Sequence, residues 1–316
     1  MPNSQEKTPN PIQRTSLDCF DGDAMTAMIE GTSLNLYQVE KGAFETHLFS
    51  STLGNGLING GYYSRSVLTE GILSQELMSC SFLNNTSKPG ILEGKPLEKN
   101  NILLSAEDAP LDCVMAAESQ WTSFQFKRED MLKTGLTLPT EGSLVFKLSP
   151  EAEEKFLTEM NQLLHYIQQT DEANMVNTDI LYQHLVSHFS YVLEETKSVT
   201  YLKAKESTLL AKKLYHYIHE NASFPIQMMH LTELIGKSER TVERIFKQYF
   251  SLSPYAYLKV HRLHLIRNKL LSMSTDSSTN ITHIAMENGF MSMGYFSREY
   301  RKLFNETPTE TLNKRD

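Results

Sequence analysis

The spacing of apolar residues changes twice along the chain. Residues 1–15 are polar, with three prolines before Gln13, and predict a disordered tail. A short helix is expected around residues 24–29. From Ser33 the period is two: Leu34, Leu36, Gln38 and Glu40 alternate with Asn35, Tyr37 and Val39. The run 44–49 leads into Gly54-Asn55-Gly56, a good hairpin turn. Further short runs at 57–64, 66–73, 76–83, 101–105, 111–115 and 121–126 are punctuated by Gly60-Gly61 and Lys88-Pro89-Gly90. Many short strands at even spacing predict a small sandwich or barrel over residues 16–148.

At Ser149 the period becomes helical. Ser149-Pro150-Glu151 supplies a cap, proline at the first position and an early acid. Phe156, Met160, Leu163, Leu164 and Ile167 line one face. A second helix follows over 177–195, with Leu181, Leu185, Phe189 and Val192 on one face. These stripes in 149–198 either meet a second subunit or pack on the strand domain. The polar stretch 199–206 predicts a linker.

From residue 207 the helical pattern holds one design twice. Leu231, Leu234 and Ile235 make a short apolar face, Gly236 breaks it, and Ser238 can cap a helix with Val242, Ile245, Phe246, Tyr249 and Phe250 inward. Downstream, Ile281, Ile284 and Ala285 precede Gly289. Ser292 can then cap a helix that buries Phe296, Tyr300, Leu303 and Phe304. The first unit closes at Leu252-Ser253-Pro254 and the second at Glu306-Thr307-Pro308. Two short helices, a tight turn and a basic outer face on the second describe a helix-turn-helix. A duplicated unit (230–250 and 281–304) is a stronger signal than either copy alone. Helices at 209–221 and 254–273 flank and join the two. The second of these holds the units apart, so that both can enter successive major-groove turns roughly 34 Å apart.

This segment, from about Ser207 to Pro308, resembles the DNA-binding domain of the AraC/XylS family of bacterial transcription regulators. The resemblance is carried by Ile284-Ala285, Gly289-Phe290, Tyr295-Phe296-Ser297-Arg298 and Thr307-Pro308, and by Leu231, Gly236, Ser238, Arg240-Thr241-Val242 and Arg244-Ile245-Phe246-Lys247. Gly294, Tyr300 and Asn305 depart from the family pattern; Gly294 leaves one base-facing position without a side chain, and Asn305 can still adopt the left-handed turn. The resemblance implies an α+β chain of two domains. These are an N-terminal cupin-like β-barrel with a helical dimerisation segment, and a C-terminal all-α domain over 207–312 with two helix-turn-helix units. It also implies a homodimer, RNA polymerase as a partner, and activation as output.

Charge divides along the same boundary. The whole chain carries −8, yet from Tyr201 onward 17 Lys+Arg face 11 Asp+Glu, a formal +6, leaving −14 upstream. A basic module joined to an acidic one fits a DNA binder with a separate sensor. Three cysteines without Cys-x-x-Cys spacing fit a reducing compartment. The polar start and the lack of a bilayer-length apolar run point to a cytoplasmic protein with no membrane partner.

Arg240 and Arg244 lie four apart with Glu243 beside them. Arginine can bind guanine O6 and N7, and glutamate can accept from cytosine N4; the plain alternative is a solvated face with an Arg–Glu pair. By the resemblance, Ser238, Ser292, Ser297 and Arg298 belong to the same surface. Met293 either touches a thymine methyl or is an ordinary exposed methionine. Lys247, Arg301 and Lys302 suit phosphates. His184 and His188 have zinc-ligand spacing but no evident third ligand. His47 is the only histidine before His165, which argues against a metal-dependent barrel enzyme; no cofactor, metal or catalytic residue is expected. Arg65 either clamps a ligand carboxylate or is an ordinary surface residue. Tyr62 and Trp121 are the aromatics considered with it for an effector. Leu163, Leu164, Ile167, Leu185 and Phe189 are the candidate dimer contacts.

The expected protein is a sequence-specific regulator that binds double-stranded promoter DNA, reads a small effector through its N-terminal domain, and is not an enzyme. The alternative is a regulator without an effector, whose N-terminal domain only dimerises or binds a protein partner.

Overall fold

The computed structural model describes residues 12–169, 177–202, 206–273 and 280–314. A sheet-rich N-terminal domain precedes a helical C-terminal domain. The larger sheet orders its eight strands β1 (Gln13–Leu17), β3 (Thr46–Leu53), β4 (Gly56–Tyr63), β11 (Ser119–Phe126), β6 (Met78–Asn85), β9 (Asn101–Ser105), β12 (Ser143–Lys147) and β13 (Ser198–Leu202). The smaller orders β2 (Ser33–Gln38), β5 (Val67–Ile72), β10 (Pro110–Met115), β7 (Gly90–Leu92) and β8 (Lys95–Leu97). All pairings are antiparallel. β3 and β4 form the expected hairpin, with Leu53 opposite Gly56 and Gly54 at φ 53°. Two short helices, α1 (Gly22–Met28) and α2 (Arg128–Leu132), join strands.

The two sheets face each other across a shared apolar core, which takes Leu34, Leu36, Cys113 and Met115 from one and Leu48, Tyr63, Leu83 and Leu103 from the other. Among the described residues no strand pairing joins the two sheets, so they stack as open sheets; the strand spacing allowed a sandwich or a barrel, and the closed cupin-like form was what the resemblance implied. Even spacing sets the number of strands. Closure depends on long-range edge pairing, which spacing does not encode. Two boundaries also move. β1 starts inside the stretch read as a tail, pairing Gln13 with Ser50. β13 occupies the first half of the stretch read as a linker, pairing Val199 with Phe146. Both strands are joined through backbone groups, so polar side chains do not reveal them. Residues 1–11 of the tail and 203–205 of the linker lie outside the described residues.

Helices α3 (Pro150–Gln169) and α4 (Thr178–Glu195) cover the outer face of the larger sheet. Phe82, Phe124 and Phe126 from its strands meet Phe156, Leu164, Ile167, Leu185 and Phe189. The Phe124 and Phe189 rings stack with centroids 5.8 Å apart. Leu164, Ile167, Leu185 and Phe189, read as dimer contacts, are therefore buried within their own domain, and Leu163 is half-buried against the same cluster. Covering its own sheet accounts for the apolar stripe, since each such side chain gains about 1.5–3 kcal/mol by leaving water.

The C-terminal domain contains α5 (Glu206–Glu220), α6 (Met228–Ile235), α7 (Glu239–Phe250), α8 (Pro254–Ser272), α9 (Ile281–Glu287), α10 (Met293–Phe304) and α11 (Pro308–Asn313). It packs on the outer face of the smaller sheet. Tyr37 there meets His219 of α5 and His261 and His264 of α8. The core between the sheets runs without a break into the core of this domain. Among the described residues no helix is long and apolar enough to cross a membrane.

Candidate nucleic-acid interface

Helices α6 and α7 form the first unit. Gly236 ends α6 in the left-handed region at φ 62°, where a side chain would be strained. Ser238 occupies the N-cap of α7, but its hydroxyl meets Thr241 Oγ1 at 3.1 Å and no backbone N–H. Val242, Ile245 and Phe246 are fully buried. In the second unit, Asn280 caps α9 by accepting from the N–H groups of Thr282 and His283. Ser292 caps α10 by accepting from Tyr295 N–H. Its turn is longer than the first, and Phe290 fills the extra space as a core residue.

The duplication extends to the exits. Ser251 after α7 has φ 59° and Asn305 after α10 has φ 58°, each closing its helix with a backbone bond to a carbonyl four residues back. Ser253 and Thr307 then cap the next helices, followed by Pro254 and Pro308 at the first position. The 19 residues of α8 span about 28 Å at 1.5 Å per residue and set the two units apart.

Outward residues of both second helices form the candidate surface. Ser238, Arg240, Glu243, Arg244 and Lys247 are exposed on the first. Among the described residues Arg240, Arg244 and Lys247 make no ion pair with the protein, so their charges stay available to an anion. On the second, Ser292, Ser297, Arg298, Arg301 and Lys302 are exposed, whereas Met293 is half-buried against the core. Gly294 is exposed, and a Cβ there would meet nothing within 4 Å.

Two contributors escaped the sequence reading. Tyr295 is exposed, and Arg298 lies over its ring at 5.4 Å. Glu299 is only 6% exposed. It accepts from Lys259 of α8 at 2.6 Å and Lys302 at 3.2 Å, and sits 3.7 Å from Arg298 Nε. The Lys259 hydrogen bond is the main cause that holds its carboxyl down at about 2. Glu299 thus ties α10 to α8 and draws two of its cations inward. Tyr295 stands three residues before Arg298, a one-turn spacing that signals the stack; nothing local marks Glu299 as buried.

Elsewhere, Trp121 lines a cavity of about 70 Å³ between the sheets, with Tyr63, Leu83, Leu103 and Cys113. Tyr62 and Arg65 lie outside it: Tyr62 donates to Glu118, and Arg65 donates to the Ser64 carbonyl near the same glutamate. His184 and His188 stack 6.4 Å apart, with Glu159 3.5 Å from His188. Among the described residues no three His, Cys, Asp or Glu side chains gather as a metal site would require.

The chain matches a family model described as a helix-turn-helix domain over residues 231–314. The XylDLEGF operon transcriptional activator 2 of Pseudomonas putida is 30% identical over 102 residues, which are 32% of this chain and 64% of that protein. The HTH-type transcriptional activator RhaS of Escherichia fergusonii is 27% identical over 165 residues, 51% of this chain and 55% of the relative. The chain therefore spans just under two thirds of the first relative and about half of the second. Among solved structures, a probable AraC family transcriptional regulator from Rhodopseudomonas palustris is 34% identical. That match covers 34% of this chain and 96% of the other, with a TM-score of 0.32.

Proposed function

The chain belongs to the AraC/XylS family of transcription regulators through its C-terminal helix-turn-helix domain, and on that premise we propose that it binds promoter DNA sequence-specifically and activates transcription. The observation that carries the reading is the pair of recognition helices. Each has an apolar face in the core and a cationic face in solvent, and the long helix α8 joins the two units. Arg240, Arg244 and Arg298 read bases in this account, with Glu243 and Ser297 beside them. Lys247, Arg301 and Lys302 hold phosphates. The activator role, RNA polymerase contact and a homodimer follow the regulators it resembles.

The N-terminal domain is proposed to read an uncharged, largely apolar effector in the cavity between the sheets. Its lining has no cation to pair with a carboxylate, and the Tyr63 and Trp121 rings offer the polar edges. Footprinting of the full chain on genomic promoter fragments tests the DNA assignment. Two protected patches about one helical turn apart are expected, both lost in Arg244→Ala/Arg298→Ala. Protection that persists in this variant, or that ignores sequence, would reject it.

A further inference from the structure

The seam between the domains carries three imidazoles. His219 of α5 stacks on His261 of α8 at 3.7 Å between centroids. Tyr37 of β2 meets both edge-on at 5.9 Å, and His264 at 5.4 Å. His264 is also enclosed by Phe20 from the N-terminal domain and Phe304 from α10, each at 5.0 Å. Its Nε2–H donates to the Gln38 carbonyl at 2.9 Å, which holds a proton on that nitrogen. His219 shares a hydrogen bond with the Tyr257 hydroxyl at 2.8 Å. His261 and His264 are buried at 5% and 2% exposure.

Both recognition helices end on this seam. The carbonyls of Lys302 and Leu303 accept from Gly42 N–H at 3.1 and 3.2 Å, and Leu303 also accepts from the Gln38 amide at 2.8 Å. On α7, Gln248 donates to the Gly94 carbonyl at 3.1 Å. Arg267 of α8 donates to the Phe20 carbonyl at 2.7 Å. Releasing the seam would therefore free both helices from the sheet at once.

We propose that this seam is a proton-operated latch: neutral His219, His261 and His264 keep the DNA-binding domain docked on the smaller sheet, and their protonation releases it. Among the described residues no carboxylate forms an ion pair or hydrogen bond with the three rings. The nearest charges on their own helices are cations or potential cations, His216 beside His219, Arg262 beside His261 and Arg267 beside His264. Acids sit further off: Glu70 on β5 and Asp23 on α1 act on Tyr37, and Glu70 and Asp112 on Tyr257. Glu70 accepts from Tyr215, and Lys212 pairs with Asp112 at 3.0 Å.

The direction follows from the two states. Burial, then neighbouring cationic groups, hold His219 near about 3 and His261 near about 4. Burial, against the Gln38 hydrogen bond, holds His264 near about 3. Undocked, each returns toward about 6.5, so the open form binds more protons as pH falls below that value. Glu70 and Glu93 work the other way: burial and then Asp112 raise Glu70 to about 7 when docked, and burial raises Glu93 against the pull of Lys212, so acid favours docking through these two groups. A fully released imidazole shifts the open-to-docked ratio about tenfold per pH unit below about 6.5, and each carboxylate offsets at most about one such group. Three histidines against two carboxylates leave a net opening as pH falls from 7.5 to 5.5.

The test is small-angle scattering of the full chain, extrapolated to zero concentration, with far-ultraviolet circular dichroism across pH 7.5 to 5.0. The radius of gyration should rise with acid while helix and strand signals hold. His261→Gln/His264→Gln should remain compact at pH 5.5, and Glu70→Gln should open at higher pH than the parent. If the double variant does not fold, the parent titration and Glu70→Gln still decide. A parent that stays compact to pH 5.0, expansion only in step with loss of helix signal, a folded double variant that opens as the parent does, or no upward shift in Glu70→Gln would each overturn the latch.

Discussion

Removing the Glu306 carboxylate would strand a buried guanidinium. Arg267 is 1% exposed, and its Nη1 faces Glu306, Thr311 at 3.2 Å and Tyr300 at 3.5 Å. Glu306 also accepts from Lys314 at 2.6 Å and Thr311 at 2.6 Å. Glu306→Ala leaves Arg267 charged and without its acid, a change that costs about 3–5 kcal/mol. Against a domain stability of about 5–15 kcal/mol this is a large fraction. Arg267→Met should cost less, because Glu306 keeps Lys314. The pair Arg267→Met/Glu306→Leu removes both charges and should recover most of the loss, short of about 1–3 kcal/mol for the orphaned Phe20 carbonyl. Urea denaturation followed by circular dichroism measures all three. Burial raises the Glu306 carboxyl, but Lys314, Thr311 and Arg267 outweigh it and hold it below its ordinary 4.5. Its contribution is therefore complete above that value and lost as pH falls through the lower folded value, so parent and Glu306→Ala should converge only in acid below the ordinary carboxylate range. A single-variant loss under about 1 kcal/mol, or a double variant as unstable as the sum of the singles, would refute this account.

Other outcomes are open to direct measurement. Arg244→Ala and Arg298→Ala should each cost about 1–3 kcal/mol on the operator and relax preference at particular base pairs, measured by binding to single-base variants; equal loss on random DNA would demote the residue to a phosphate contact. Lys247→Ala should weaken all sequences alike and reduce the slope of log affinity against log salt by about one unit in a salt titration. Leu164→Glu should unfold the N-terminal domain, because it places a carboxylate in the core against the larger sheet; a folded monomer by sedimentation and circular dichroism would return this face to the subunit interface.

Sequence alone determined the elements whose cause is local. The helical period, Gly236 and Gly289, the Ser253 and Thr307 caps and the 54-residue offset from Phe250 to Phe304 locate both helix-turn-helix units, because helix starts, stops and faces depend on neighbours within a few residues. Charge along the chain assigned the basic surface to the same third. Strands were legible as short alternating runs, and the Gly54-Asn55 hairpin by its turn chemistry. Tertiary structure alone decided the rest. The apolar stripes of α3 and α4 read the same whether they meet a second subunit or their own sheet; only the fold brings Phe82 and Phe124 of the larger sheet against them. Arg65 was a candidate clamp by type, yet it lies half-buried outside the cavity, near Glu118. His264 and Arg267 look in the sequence like the polar side of a long connector helix. They are buried because Gln38 and Phe20, 226 and 247 residues away, bring carbonyls to them. Pairings across such separations arise from how whole surfaces meet, and no window of neighbouring residues contains that information.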